Sequence, residues 1–318
     1  MYRYSTANMA SDQQLPLPTP APSPPLKPES RPSISAEINK ETRKHHTELN
    51  RLIIDRLPLG LPPQAESPHV LGQGIATFAR IFFGFESVWQ EIEDGKHRLS
   101  KYDPQTAHEY DIVSSLAFLR PVGLARTERL RKDLATISQR TGSYVTTKSA
   151  GKGIERRIRE QVNERPWLLV AYAWVMYMAI FSGGRWIRQQ LAQAGPGFWT
   201  GTRHDTGGEQ SSETKKLEIP GFTFLSFDSE QDGEDMKAEF KSRLAETEVL
   251  LSDEERQEVI AAAQGLFDDC IGLVHELDMI VAKKKIASII LPAVVLTLLL
   301  ALMALLYWAD RHGGLLRV

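Results

Sequence analysis

Pro166–Leu191, PWLLVAYAWVMYMAIFSGGRWIRQQL, decides the fold of this chain. Its first sixteen residues after the proline, Trp167–Ser182, carry no charge. A glycine pair, Gly183 and Gly184, follows, and then a basic turn with Arg185 and Arg188. Pro166 suits the first turn of a helix, where its missing N–H has no intrahelical partner to lose. Apolar residues run all round this helix, so it is expected to be buried on every side. The glycines cost about 1 kcal/mol each in a helix, relative to alanine. In return they let a flat group or another backbone approach closely, because no Cβ intervenes. The uncharged run is short for a membrane span, which needs about 20 residues.

Outward from this element, the chain reads as all-helical. A helix is expected from Ser35, a candidate N-cap, to Leu57, just before Pro58, with Ile38, Leu49, Leu52 and Ile53 on its apolar face. His45 and His46 both project towards that face. A neutral imidazole is a common iron ligand, so the pair is a candidate metal site. Periodicity alone does not choose between them. His69–Asp94 reads as a wide amphipathic helix around Phe78, Ile81, Phe82, Phe85, Val88, Trp89 and Ile92. Shorter helices are expected at 109–119, 124–138 and around Ile154–Val162. The alternating Phe222, Phe224 and Phe227 have no partner strand, and read as packed loop before a helix carrying Lys237, Lys241 and Arg243. Ser252 and Glu255 form a capping box that starts a long helix.

The totals exclude several classes of function. A formal charge of −2 over 318 residues argues against nucleic-acid binding driven by bulk charge. The single cysteine, Cys270, excludes an intramolecular disulfide and a multi-cysteine zinc site. Residues 1–34 are Pro-rich and read as a disordered arm, with an SH3 or WW ligand as the alternative. Residues 195–219 read as a flexible loop. Ile286–Trp308 holds 23 uncharged residues, long enough to cross a hydrocarbon core of about 30 Å. Lys283–Lys285 precede it and Tyr307 and Trp308 end it, so the reading is a transmembrane tail anchor with the N-terminal domain cytosolic. The endoplasmic reticulum is the default membrane.

Three stretches carry a resemblance to the haem oxygenases. ETRKHHTELN resembles the proximal segment of that family, whose HT dipeptide falls on His46–Thr47. LLVAYAWVMYMAIFSGGRWIRQQL resembles the distal helix, including Tyr177 and the SGG. The run from Gly221 to Leu277 resembles the C-terminal third, with cations at Lys237, Lys241 and Arg243 and a phenylalanine at Phe267. Together these stretches span most of residues 36–282 in the family's order. The resemblance implies an all-α, haem oxygenase-like multi-helical domain over residues 35–282, followed by the C-terminal transmembrane helix at 286–308. It implies His46 as iron ligand, with His45 the alternate, and Gly183 and Gly184 against the haem face. It implies Lys237, Lys241 and Arg243 at the propionates, with Tyr177 and Phe267 also lining the haem. The implied chemistry is cleavage of haem, at once substrate and prosthetic group, to biliverdin, carbon monoxide and iron. It would use O2 and electrons from NADPH through a membrane-bound NADPH–cytochrome P450 reductase. This chain also departs from the family. Ala179 replaces a glycine, Ile180 replaces the distal aspartate that anchors a water network, and Asn39 replaces a lysine. The alternatives are a non-catalytic haem-binding sensor or carrier on a membrane, and a membrane-anchored adaptor working through its Pro-rich arm.

Overall fold

A computed structural model describes residues 31–97, 106–142, 151–200 and 221–312. Among these residues the chain forms eleven α-helices, joined by short 3-10 turns, and no strand. The Pro-rich arm, apart from its last residues, and most of the loop at 195–219 lie outside the described residues. The expected start at Ser35 moves to Ser33, whose Oγ accepts from the amide of Ala36 at 3.2 Å. That cap opens α1 (Ile34–Glu41). The chain then breaks at Thr42, whose hydroxyl turns back onto the carbonyl of Ile38 at 2.7 Å, before α2 (Arg43–Arg56).

The core is built on α3 (His69–Glu93). Ile81, Phe82, Phe85, Val88 and Trp89 of α3 are buried at helical spacing. Against it pack α4 (Ala107–Leu119), α5 (Thr127–Thr141) and α6 (Ile154–Glu164). Close approach to α6 depends on Gly84. A Cβ there would lie 3.0 Å from the carbonyl oxygen of Glu155 and 3.0 Å from Ile158. The stretch at Pro166 enters through a 3-10 turn into α7 (Leu169–Met178), buried nearly all round as its composition demands. Pro166–Ala192 is the one run among the described residues searched that is long and apolar enough to span a membrane, and most of it is buried in the protein core. A π-helical turn, Ala179–Gly183, links α7 to α8 (Gly184–Ala192). The expected loop at 195 begins instead with a short helix, α9 (Pro196–Thr200), held by Arg140 donating to the Trp199 carbonyl at 2.9 Å. Trp199 buries its ring against Phe198 and Phe222, which is why this part of a polar-looking segment orders.

Phe222 and Phe227 are buried in packed turns, and α10 (Glu234–Thr247) follows. The capping box closes both ways. Ser252 N–H donates to Glu255 at 2.8 Å, and Glu255 N–H donates to Ser252 Oγ at 3.2 Å. It starts α11, Asp253–His312, a single helix of 60 residues. The helices α1, α2, α3 and α7 all pack on it. Arg256, itself buried, ties α11 to Glu37 of α1 at 2.8 Å, so the first and last helices of the domain are joined near their N-termini.

Candidate haem site

The two histidines face α11 differently. His46 lies edge-on to Phe267, with ring centroids 6.1 Å apart and planes at 76°. His46 is exposed, and its ring nitrogens have no hydrogen bond among the described residues. His45 is half-buried, and its Nε2 lies 3.6 Å from the Asp268 carboxylate. His45 thus only approaches an acid, beyond hydrogen-bond reach, with its Nδ1 buried and without a hydrogen-bond partner among the described residues, while its neighbour stands open beside an aromatic ring.

The glycine stretch supplies a second open surface. In the π-helical turn and α8, Ala179, Ser182, Gly183 and Trp186 are exposed, while Ile180 and Phe181 turn inward. A Cβ on Gly183 would meet nothing within 4 Å. A Cβ on Gly184 would instead face protein, 3.5 Å from Leu225. A π turn inside an α-helix widens the backbone and often marks a functional site. Here it exposes the small residues Ala179, Ser182 and Gly183 to solvent. Arg188 and Arg185, which follow, are pinned by Asp232 and Glu234. They hold this helix and are not free cations.

The tie that brings α10 to this region runs through Trp174. Its indole N–H donates to Asn39 of α1 at 3.0 Å, and its ring stacks on Phe240 of α10 at 6.4 Å. Lys237 and Lys241, one helical turn apart, flank Phe240 on α10. Lys237 makes only a long contact to Glu234, 3.5 Å, and Lys241 is exposed. Arg243 is elsewhere. It donates to the carbonyls of Phe118 at 2.7 Å and Arg120 at 3.1 Å, and pairs with Glu239. It caps the end of α4, about 160° of helical turn away from Lys241, so the expectation of three cations on one side is corrected to two.

Tyr177 is a second correction. It is fully buried at the back of α7 among Phe82, Phe85, Trp89 and Phe240, and does not line an open surface. Its hydroxyl donates to Glu86 Oε1 at 2.8 Å. Burial first, and the neighbouring Glu86 carboxylate second, hold its pKa well above the usual tyrosine value. The sequence reading missed Glu86, a buried acid that also accepts the amide protons of Arg126 and Thr127, each at 2.8 Å, at the N-terminus of α5. The only sequence signal was a lone acid inside the apolar run FFGFESVW. Arg126 is buried beside it, over the Phe227 ring at 4.5 Å. Burial and then Arg129 push its guanidinium pKa down to about 10.

An accessible imidazole beside an aromatic ring, an exposed strip of small residues, and two lysines on one face of α10, one of them in long contact with Glu234, are the kinds of group that hold a flat, iron-bearing ligand with anionic edges. The class the scaffold defines is an all-helical protein among the described residues, carrying candidate haem-binding groups. Comparison with known proteins gives the family. The Heme oxygenase family signature matches residues 105–276, more than half of the chain. The chain belongs to the haem oxygenase family. It is 24% identical over 263 residues to "Heme-binding protein HMX1" of Saccharomyces cerevisiae, covering 77% of this chain and 75% of that protein. Its fold is similar to that of heme oxygenase 2 from Chlamydomonas reinhardtii, solved without heme, at 16% identity and TM-score 0.55, covering 77% of this chain and 97% of that one. It is also similar to heme oxygenase-1 from the cyanobacterium Synechocystis in complex with heme, at 19% identity and TM-score 0.51, covering 82% and 99%.

Proposed function

We propose that this protein binds haem through His46 and cleaves it to biliverdin, carbon monoxide and iron, using O2 and reductase-supplied electrons. The observation that carries the reading is the open His46 imidazole beside Phe267, in a chain whose other distinctive open strip is the Ala179–Gly183 turn. Bound haem supplies the iron at which O2 is activated. The protein's own groups do the rest. His46 would hold the iron through its imidazole. Gly183 and its small neighbours let backbone lie against the macrocycle. Lys237 and Lys241 orient the propionates by charge-assisted hydrogen bonds. Phe267, edge-on to His46, would supply an apolar wall beside the ligand.

A second reading has its own observation. Ile180 is buried, and its side chain neither donates nor accepts, so it cannot order water on the distal side. This favours a membrane-bound haem binder without turnover, and the name of the yeast relative is in keeping with it. The test that separates them is single turnover. The full chain in detergent micelles is loaded with haemin and supplied with NADPH–cytochrome P450 reductase, NADPH and air, with catalase present. Loss of the Soret band with appearance of bile-pigment absorption supports the oxygenase. A stable Soret band supports the binder, and failure to take up haemin removes both.

We further propose that residues 286–308 anchor the protein in a membrane, by default that of the endoplasmic reticulum, with the domain on the cytosolic side where the reductase would meet it. The support is the uncharged run itself, its continuity with α11, and the exposed Leu296, Leu298, Leu299, Leu300 and Met303 on that helix. So many large apolar side chains left uncovered are costly in water and favourable in lipid.

A further inference from the structure

We infer that the catalytic domain makes a second contact with the membrane, through an apolar collar of Ile54, Leu59, Val70, Met279 and Val281. This rests on the anchor reading and adds to it a defined orientation of the domain on the lipid surface. All five side chains are more than a third exposed, and those of Leu59 and Met279 more than half.

The helix directions bring these residues to one end of the domain. His46 meets Phe267 and Arg56 pairs with Asp278 at 2.8 Å, so α2 and α11 run parallel in step. The C-terminal end of α2, with Ile54, and the 3-10 turn Leu57–Gly60 that follows it therefore lie at the level where α11 approaches its uncharged run. The direction of α3 is opposite. Gly151 sits between Arg80 of α3 and Leu273 of α11, and Gly84 packs on α6, whose Arg157 pairs with Asp269. Val70, ten residues before Arg80, therefore lies about 15 Å further towards the C-terminal end of α11. It reaches the level of Val281 and Lys283.

The collar is rigid as well as exposed. Gly60 is packed against Leu71, where a Cβ would come within 3.3 Å, and Arg56 is clamped to Asp278. Leu59 is thus presented on a fixed turn. The occupant that fits is lipid. The collar surrounds the place where a 23-residue uncharged helix leaves the domain, and Lys283–Lys285 stand between the two, suited to anionic headgroups. A soluble partner there would have to share the surface with the bilayer.

The experiment uses the full chain in vesicles of phosphatidylcholine with a minor fraction of phosphatidylserine, including a lipid that carries a fluorescence quencher near its headgroup. A fluorophore is attached at Leu59→Cys, at Met279→Cys, and at Val122→Cys as reference. Val122 is exposed beside Arg120, which pairs with Glu93 at the far end of α3. Cys270 is buried and its thiol pKa is pushed up to about 12 by burial, so it stays unlabelled. The expected result is co-flotation of all variants with the vesicles, and several-fold stronger lipid quenching at positions 59 and 279 than at 122. Co-flotation with equal quenching at the three positions overturns the collar and leaves the anchor standing. Absence of co-flotation overturns the anchor and the collar together. Spectral shifts at 59 that follow protein concentration in detergent without lipid overturn it in favour of self-association.

Discussion

Two adjacent histidines show how much a single residue's role depends on distant sequence. Both face α11, but Asp268 approaches His45 while His46 meets Phe267. Both partners lie more than two hundred residues away in sequence, so helical periodicity could not separate the pair, and the choice of His46 rests on the resemblance. His46→Ala should abolish stoichiometric haemin uptake, read as loss of the Soret shift on titration, while His45→Ala retains it. The reverse outcome would move the ligand to His45. Gly183 separates ligand space from folding stability in the same way. An added methyl meets nothing in the protein and improves helix propensity, so Gly183→Ala should leave the apo melting temperature unchanged or raise stability by up to about 1 kcal/mol. The same change should weaken haemin binding if a flat ligand rests on that strip. Unchanged haem affinity would mean that the strip is not the haem face.

At the level of elements, the patterned helices were legible and the interruptions were not. The amphipathic stripe of α3 and the capping box of α11 are written in local sequence, because each needs residues only a few positions apart. The break at Thr42, with its hydroxyl on the Ile38 carbonyl, and the π turn ending at the glycine pair have local elements, but a mid-helix threonine or glycine pair also fits an unbroken helix, so the sequence did not place them. Nor could local reading place Arg243, whose partners Phe118 and Arg120 belong to another helix. The cap makes a direct prediction. Ser252→Ala should cost about 1 kcal/mol, a fall of about 2–4 °C in thermal unfolding for a domain of this size. Glu86 carries more, since it joins α3, α5 and α7 at one buried carboxylate. Glu86→Ala leaves the amides of Arg126 and Thr127 and the Tyr177 hydroxyl without that acceptor. The expected loss is about 3 kcal/mol or more, seen as a large drop in melting temperature or failure to fold. A near-neutral outcome would mean that water replaces the carboxylate, and that the knot behind the distal helix is dispensable.

For the whole molecule, one helix links the proposed chemistry to the proposed location. α11 carries Phe267 beside His46, then Asp278 at the clamp with α2, then Lys283 and the uncharged run, without a break in its backbone. A helix continuous to the uncharged run, up to Pro292, ties the orientation of the proposed haem site to that of the membrane segment more closely than a flexible linker would. It also divides cleanly. The named contacts of α11 with the rest of the domain fall at or before Asp278, and the leucines exposed beyond residue 295 contribute nothing to that core. Truncation after Ala282 should therefore preserve helical content, cooperative unfolding and haemin uptake, and should abolish co-flotation with phospholipid vesicles. If the truncated chain still floated, the collar it retains, or another surface of the domain, would hold lipid without the anchor. If it lost haemin uptake or its cooperative transition, residues 283–312 would belong to the folded core, and a membrane role for them would have to be abandoned.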